Sequence, residues 1–148
     1  MEHLHNLKIA VDFDGTIVEH EYPAIGKEKL FAFETLRELQ KHGALLILWT
    51  FRTGKELDEA IEFCSKKGIE FYAVNKNYPE EKFDHTVSRK INADVYIDDK
   101  NVGGFPGWSS IWQQLSLYDE LEKEAVKNLN RRKFIIRKFF GKKKDGNM

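Results

Sequence analysis

Short apolar runs alternate along this chain with stretches of helical spacing. Leu7–Asp12 (LKIAVD) is a compact run with β-branched residues, the pattern of a strand. Ala44–Trp49 (ALLILW) is apolar throughout, as a strand buried on both faces of a parallel sheet requires. Ile69–Val74 and Ala93–Ile97 read as a third and a fourth strand. Between them the period changes. Gly26–His42 sets Leu30, Phe31, Phe33, Leu36 and Leu39 at helical spacing, with Gly43 as the stop. Thr53 opens a second helix with Glu56 three residues on, a capping-box pair. Leu57, Ala60, Ile61 and Cys64 form its inner face, and Gly68 ends it. Asn75–Ser88 is polar, carries Pro79 and reads as an irregular loop. After the turn-rich Gly103–Gly107, the pattern predicts helix from Trp108 to about Phe140, with a break near Asn128–Asn130.

This order predicts an α/β fold: a three-layer, doubly wound, Rossmann-like arrangement with a mainly parallel sheet. Ligands bind such sheets outside the carboxyl ends of the strands. Polar candidates collect there. Asp12 and Asp14 follow the first strand, Thr50 and Arg52 the second, and Asp98 and Asp99 the fourth. Acidic residues scattered at random would not share one rim, so this clustering is the main functional signal.

Composition narrows the class. A chain of 148 residues, 41% hydrophobic, fits one domain with a real core. No apolar run approaches the roughly 18 residues of a membrane span. Met1–Leu7 has no signal-peptide apolar region, and Cys64, the single cysteine, reads as a small buried hydrophobe. A cytoplasmic protein is expected. The net charge of zero hides an asymmetry: residues 1–122 carry 14 basic and 22 acidic side chains, residues 123–148 carry 10 and 2. The chain therefore divides into a core, 1–120, and a basic C-terminal helix or tail, 121–148. The favoured expectation packs Phe134, Ile135, Phe139 and Phe140 of the tail on the core. The alternatives are an anionic membrane, nucleic acid, the acidic body itself or a second subunit.

The rim residues carry specific chemistry, and each has a plainer reading. Asp12 can attack phosphorus, while Asp14 can protonate the leaving oxygen and then activate water. The plainer reading is an Asp pair that caps a turn. Gly15 would let the backbone turn sharply and leave amide N–H groups facing phosphate oxygens. Asp98 and Asp99 add charge that calls for a cation; magnesium suits an all-oxygen set, against an ordinary Asx turn. Thr50 can donate to a phosphoryl oxygen, or simply finish its strand. Lys90, with Arg89 as rival, can balance the phosphoryl charge, or be a solvated lysine. Arg52 is expected to meet a second anionic group or the leaving group, against a surface arginine near a helix N-terminus. His20, Glu21, Tyr22, Asn75, Asn77, His85 and Trp108 can line the mouth, with no role readable for any of them.

Together these residues resemble the haloacid dehalogenase superfamily, which is mostly phosphatases. The likeness covers roughly residues 7–116. It rests on Asp12-Phe13-Asp14-Gly15-Thr16, the strand Leu45–Trp49 ending in Thr50, Lys90 shortly before a strand, and Val95-Tyr96-Ile97-Asp98-Asp99. The resemblance implies that Asp12 is nucleophile and metal ligand, and that Asp14 is acid/base with its carbonyl on Mg2+. It implies that Thr50 and Lys90 hold the phosphoryl group and that Asp98 and Asp99 anchor the metal. Ile17–Gly26 and Asn75–Ser88 are too short for the cap domain that many members carry. A capless site is open and suits a large substrate, unless oligomer contacts or the tail cover it. The function expected is a Mg2+-dependent phosphomonoester phosphatase acting through an aspartyl-phosphate. A nucleic-acid end phosphatase and a non-catalytic module that binds a phosphorylated ligand are the alternatives.

Overall fold

The computed structural model describes residues 1–140, the side chains of 118–123 and 135–140 apart. Four strands form one parallel sheet: β1 (Lys8–Val11), β2 (Leu45–Leu48), β3 (Ala73–Val74) and β4 (Val95–Ile97). Their order is β3-β2-β1-β4, and helices flank the sheet. This is the α/β, Rossmann-like arrangement predicted from the alternation of runs. The chain leaves β1 toward β2 and β3, then returns to add β4 on the other side of β1. The switch of direction lies between β1 and β4, where doubly wound sheets open a crevice.

The strands are shorter than their apolar runs because the ladder frays into single bonds at their ends. Asp12 N–H donates to Ile97 O (2.9 Å) and Trp49 N–H to Val11 O (2.9 Å). The third strand loses its expected start. Ile69 N–H instead donates to Cys64 O at 3.0 Å, closing the end of the preceding helix. Sheet register puts Ile9, Val11, Leu46 and Leu48 on one face and Ala10, Ile47, Ala73 and Tyr96 on the other. The second face packs Ile91, with Trp49, Tyr72 and Ala93 around it.

Helix α1 (Ala32–Lys41) begins later than its periodicity predicts. Residues 17–29 close on themselves first: Glu19 N–H donates to Lys27 O (2.7 Å) and Lys29 N–H to Ile17 O (2.9 Å). Phe31, at φ 64°, turns the chain into the helix, so Leu30 and Phe31 are exposed rather than on its inner face. Helix α2 (Gly54–Lys66) has Thr53 at its N-cap, but no side-chain cap bond, so the capping box does not form. The two helices lie side by side. Phe63 meets the edges of Phe13 and Phe33, and Arg37 Nη1 donates to Lys67 O at 2.9 Å. Cys64 is buried, which pushes its thiol up to about 12.

Helix α3 (Trp108–Phe140) runs without the break expected near Asn128–Asn130. The chain divides into two compact units after Gln113, earlier than the boundary at 120. The reason is burial: Trp108 and Ile111 are buried, and beyond Gln113 no described side chain of α3 is. Phe134 is 68% exposed; Ile135, Phe139 and Phe140 lie outside the described side chains. Among the described residues, no helix is long and apolar enough to cross a membrane.

Candidate active site

The site begins where β1 stops. Phe13 O accepts from the N–H groups of Thr16 (3.3 Å), Ile17 (2.9 Å) and Val18 (3.2 Å), a tight turn that holds Asp12 and Asp14 at the rim. Gly15 closes the turn at φ 87°, and a Cβ there would lie 2.3 Å from Asp99 Oδ2. Its N–H donates to Val18 O at 2.7 Å. Gly15 therefore allows the sharp turn, and its own amide is used within it. It is the residue that lets Asp99 come close.

Thr16 is fully buried and ties the end of β1 to the end of β4. Its hydroxyl donates to Asp12 Oδ2 (2.8 Å) and accepts Asp99 N–H (3.0 Å), while its carbonyl accepts Trp108 Nε1–H (2.8 Å). Trp108 is thus a buried anchor at the start of α3, not a lining residue of the mouth.

Asp12, Asp98 and Asp99 converge. One carboxylate oxygen from each lies within 4.8 Å of the others, and all three residues are half-buried. Burial raises the Asp12 carboxyl to about 7; the charges of Asp98 and Asp99 add to this, and hydrogen bonds from Thr16 and Phe13 oppose it. A cluster of three hard oxygen donors can hold a metal ion, and a divalent cation would relieve this repulsion. Asp98 also makes the turn of its plainer reading: its Oδ1 accepts Lys100 N–H at 2.7 Å.

Asp14 points elsewhere. Both its oxygens accept from Arg52, Nε to Oδ2 and Nη2 to Oδ1, each at 2.7 Å. The Arg52 side chain is fully buried. Its remaining donors reach Pro23 O (2.9 Å) and Ala24 O (2.7 Å), and its plane lies over Phe13 (5.0 Å) and Tyr22 (5.2 Å). The Asp14 contact raises the guanidinium's already high pKa. Arg52 is therefore not the open contact for a second anion that the sequence led us to expect. It clamps Asp14 and ties the 20–24 loop to β2.

Thr50 is fixed from both sides of its backbone. Its N–H donates to Asn75 Oδ1 (2.8 Å) and its carbonyl accepts Asn75 Nδ2 (3.0 Å). Thr50 Oγ1 accepts Arg52 N–H (3.1 Å) and keeps its own proton to donate. Lys90 is exposed and sits over the Tyr96 ring at 5.7 Å; its rival Arg89 lies over Phe83. Neither lines the cavity around the carboxylates. Lys100 does line it, with Nζ 3.5 Å from Asp99 Oδ2. Only its place directly after Asp98-Asp99 marked it in the sequence.

The cavity measures about 510 Å³ and gathers Asp12, Asp14, Thr50, Asp98, Asp99 and Lys100, with His20, Tyr22, Trp49, Phe51 and Arg52 completing its wall. Glu21 and His85 are exposed outside it, and Asn77 closes its own loop through Glu81.

No family model matches the chain, and no curated protein matches it. It is similar to a solved structure of a conserved protein from Bacteroides thetaiotaomicron, 56% identical, over 76% of this chain and 91% of that one, with a TM-score of 0.71.

Proposed function

The chain belongs to the same family as that Bacteroides thetaiotaomicron protein, and we propose that it is a magnesium-dependent phosphomonoester phosphatase of the haloacid dehalogenase type. The observation that carries this reading is the convergence of Asp12 with Asp98 and Asp99 at the switch point, in one cavity with Asp14 and Thr50.

Asp12, Asp98 and Asp99, with the Asp14 carbonyl, would hold magnesium, which supplies neutralising charge for the phosphoryl oxygens. Thr16 fixes the rotation of the Asp12 carboxylate. A carboxylate oxygen of Asp12 attacks phosphorus, and the bond from phosphorus to the leaving oxygen breaks. That oxygen takes a proton from Asp14, which picks one up from solvent once a contact with Arg52 opens. Asp14, now a carboxylate, accepts a proton from water as the water oxygen attacks the aspartyl-phosphate. Inorganic phosphate leaves and Asp12 is regenerated. Thr50 donates to a phosphoryl oxygen, and Lys100 takes the balancing part first given to Lys90. Asp14 can reach the leaving oxygen only when one of its contacts with Arg52 gives way.

The Asp14–Arg52 pair also motivates a second reading, a non-catalytic module that binds a phosphorylated ligand, because both carboxylate oxygens are already engaged. Phosphate release from an aryl phosphate and a metabolite panel, with magnesium and with EDTA, separates the two. The phosphatase reading expects magnesium-dependent turnover that falls roughly a thousandfold or more in Asp12→Asn. Ligand binding without turnover would favour the module.

A further inference from the structure

The wall of the cavity is aromatic beside its acidic floor. His20, Tyr22, Trp49 and Phe51 all line it. Isolated exposed hydrophobic residues are ordinary on protein surfaces. Phe51 differs by its address. It is 97% exposed, yet it stands between Thr50 and Arg52, both of which are tied down by hydrogen bonds. Two of the other rings are held in place. Trp49 packs against the Ala10, Ile47, Ala73 and Ile91 cluster, and Tyr22 lies on the buried Arg52 guanidinium.

Charge restricts what can enter. Of the two cations in the wall, Arg52 is spent on Asp14 and backbone carbonyls, so Lys100 alone answers added negative charge. A leaving group with further phosphates or carboxylates finds no second unengaged cation among the described residues of the wall. A neutral planar ring meets π-faces. About 510 Å³ is a small-molecule volume.

We propose, resting on the phosphatase reading, that the substrate is a small phosphomonoester whose leaving group carries a planar aromatic ring, received by Phe51 and its neighbouring rings. A nucleoside monophosphate and an aryl phosphate share this chemistry.

The test compares kcat/KM for a nucleoside 5′-monophosphate, phosphotyrosine, glycerol phosphate and a nucleoside diphosphate, in wild type, Phe51→Ala and Phe51→Tyr. Phe51 is exposed, so neither variant threatens the fold. Ring-bearing monophosphates should exceed glycerol phosphate by about tenfold, one stacking contact. Phe51→Ala should collapse that ratio through KM, Phe51→Tyr should keep it, and the diphosphate should be the poorer nucleotide. Whichever of the two ring-bearing substrates leads identifies the source of the ring. Equal or better turnover of glycerol phosphate, or a ratio unmoved by Phe51→Ala, overturns the proposal. If nothing turns over, the phosphatase reading fails and calorimetry decides the aromatic mouth separately. Tighter binding of the nucleoside monophosphate than of ribose 5-phosphate, dependent on Phe51, upholds the mouth; equal affinities refute it.

Discussion

Asp12 and Asp14 are separated by one residue, yet they meet opposite electrostatic surroundings. Asp12 faces two more carboxylates and receives one hydroxyl proton, and burial raises it to about 7. Asp14 faces a buried guanidinium that grips both its oxygens. One carboxylate is left for a cation from solution, and the other is neutralised by the chain itself. The contrast teaches how a rim crowded with acid can still be folded. Arg52 removes one charge from the cluster at the fold's own expense, and only three carboxylates remain for a metal to balance. It also separates what can be broken by mutation of the scaffold from what can be broken by a chelator.

Removing the internal cation should have the largest effect. Arg52→Ala leaves Asp14 without its partner and strips donors from the Pro23 and Ala24 carbonyls. A loss of about 3–5 kcal/mol in denaturant unfolding is expected, as for other broken buried pairs. Arg52→Lys should recover only part, because a single ammonium cannot reproduce the two-pronged contact. A loss under about 1 kcal/mol would mean that solvent, not Arg52, balances Asp14.

The other side of the contrast is read with pH, and its effect is smaller because solvent screens a carboxylate at the rim. The folded Asp12 carboxyl sits at about 7, above its ordinary 3.8. Between those values the native state binds more protons than the unfolded chain, so metal-free stability falls as pH rises from about 4 to 7, then levels off. Asp12→Asn should flatten that decline, and so should saturating magnesium. A decline that persists in Asp12→Asn would assign it to another group.

Gly15→Ala tests how closely the β1 turn and Asp99 must approach. The left-handed backbone adds roughly 1–2 kcal/mol of strain, and the new Cβ displaces Asp99. Weaker magnesium binding in calorimetry is expected along with the lower stability; unchanged affinity would show that Asp99 is not a ligand. Trp108→Phe is the mildest change. It removes the bond to the Thr16 carbonyl at a cost of about 1 kcal/mol while keeping most of the buried ring, and should leave magnesium affinity as it was.

The alternation of runs made the sheet and its rim legible, because a parallel strand buried on both faces must be apolar throughout, as Leu45–Leu48 is. The meeting of Asp12 with Asp98 and Asp99 followed from that order, since β1 and β4 are neighbours. The Arg52 clamp was not legible. Its partner lies 38 residues away, and which way a side chain turns from a strand end depends on packing against Phe13 and Tyr22. The place of Lys90 was not legible either: its ammonium lies over the Tyr96 ring, and it is not among the residues that line the cavity. The late start of α1 was hidden because Leu30 and Phe31 fit a helical period, while the closed loop of 17–29 rests on backbone bonds that side chains do not announce.

The central claim is that Asp12 carries the phosphoryl group. Protein mixed with magnesium and its best phosphomonoester should be quenched in acid within one turnover and reduced with borohydride, which converts an aspartyl-phosphate to homoserine. Peptide mass spectrometry then locates the change. Conversion of Asp12, dependent on both substrate and magnesium, is the result expected. Phosphate release with Asp12 unmodified, or with the label on another residue, would contradict it.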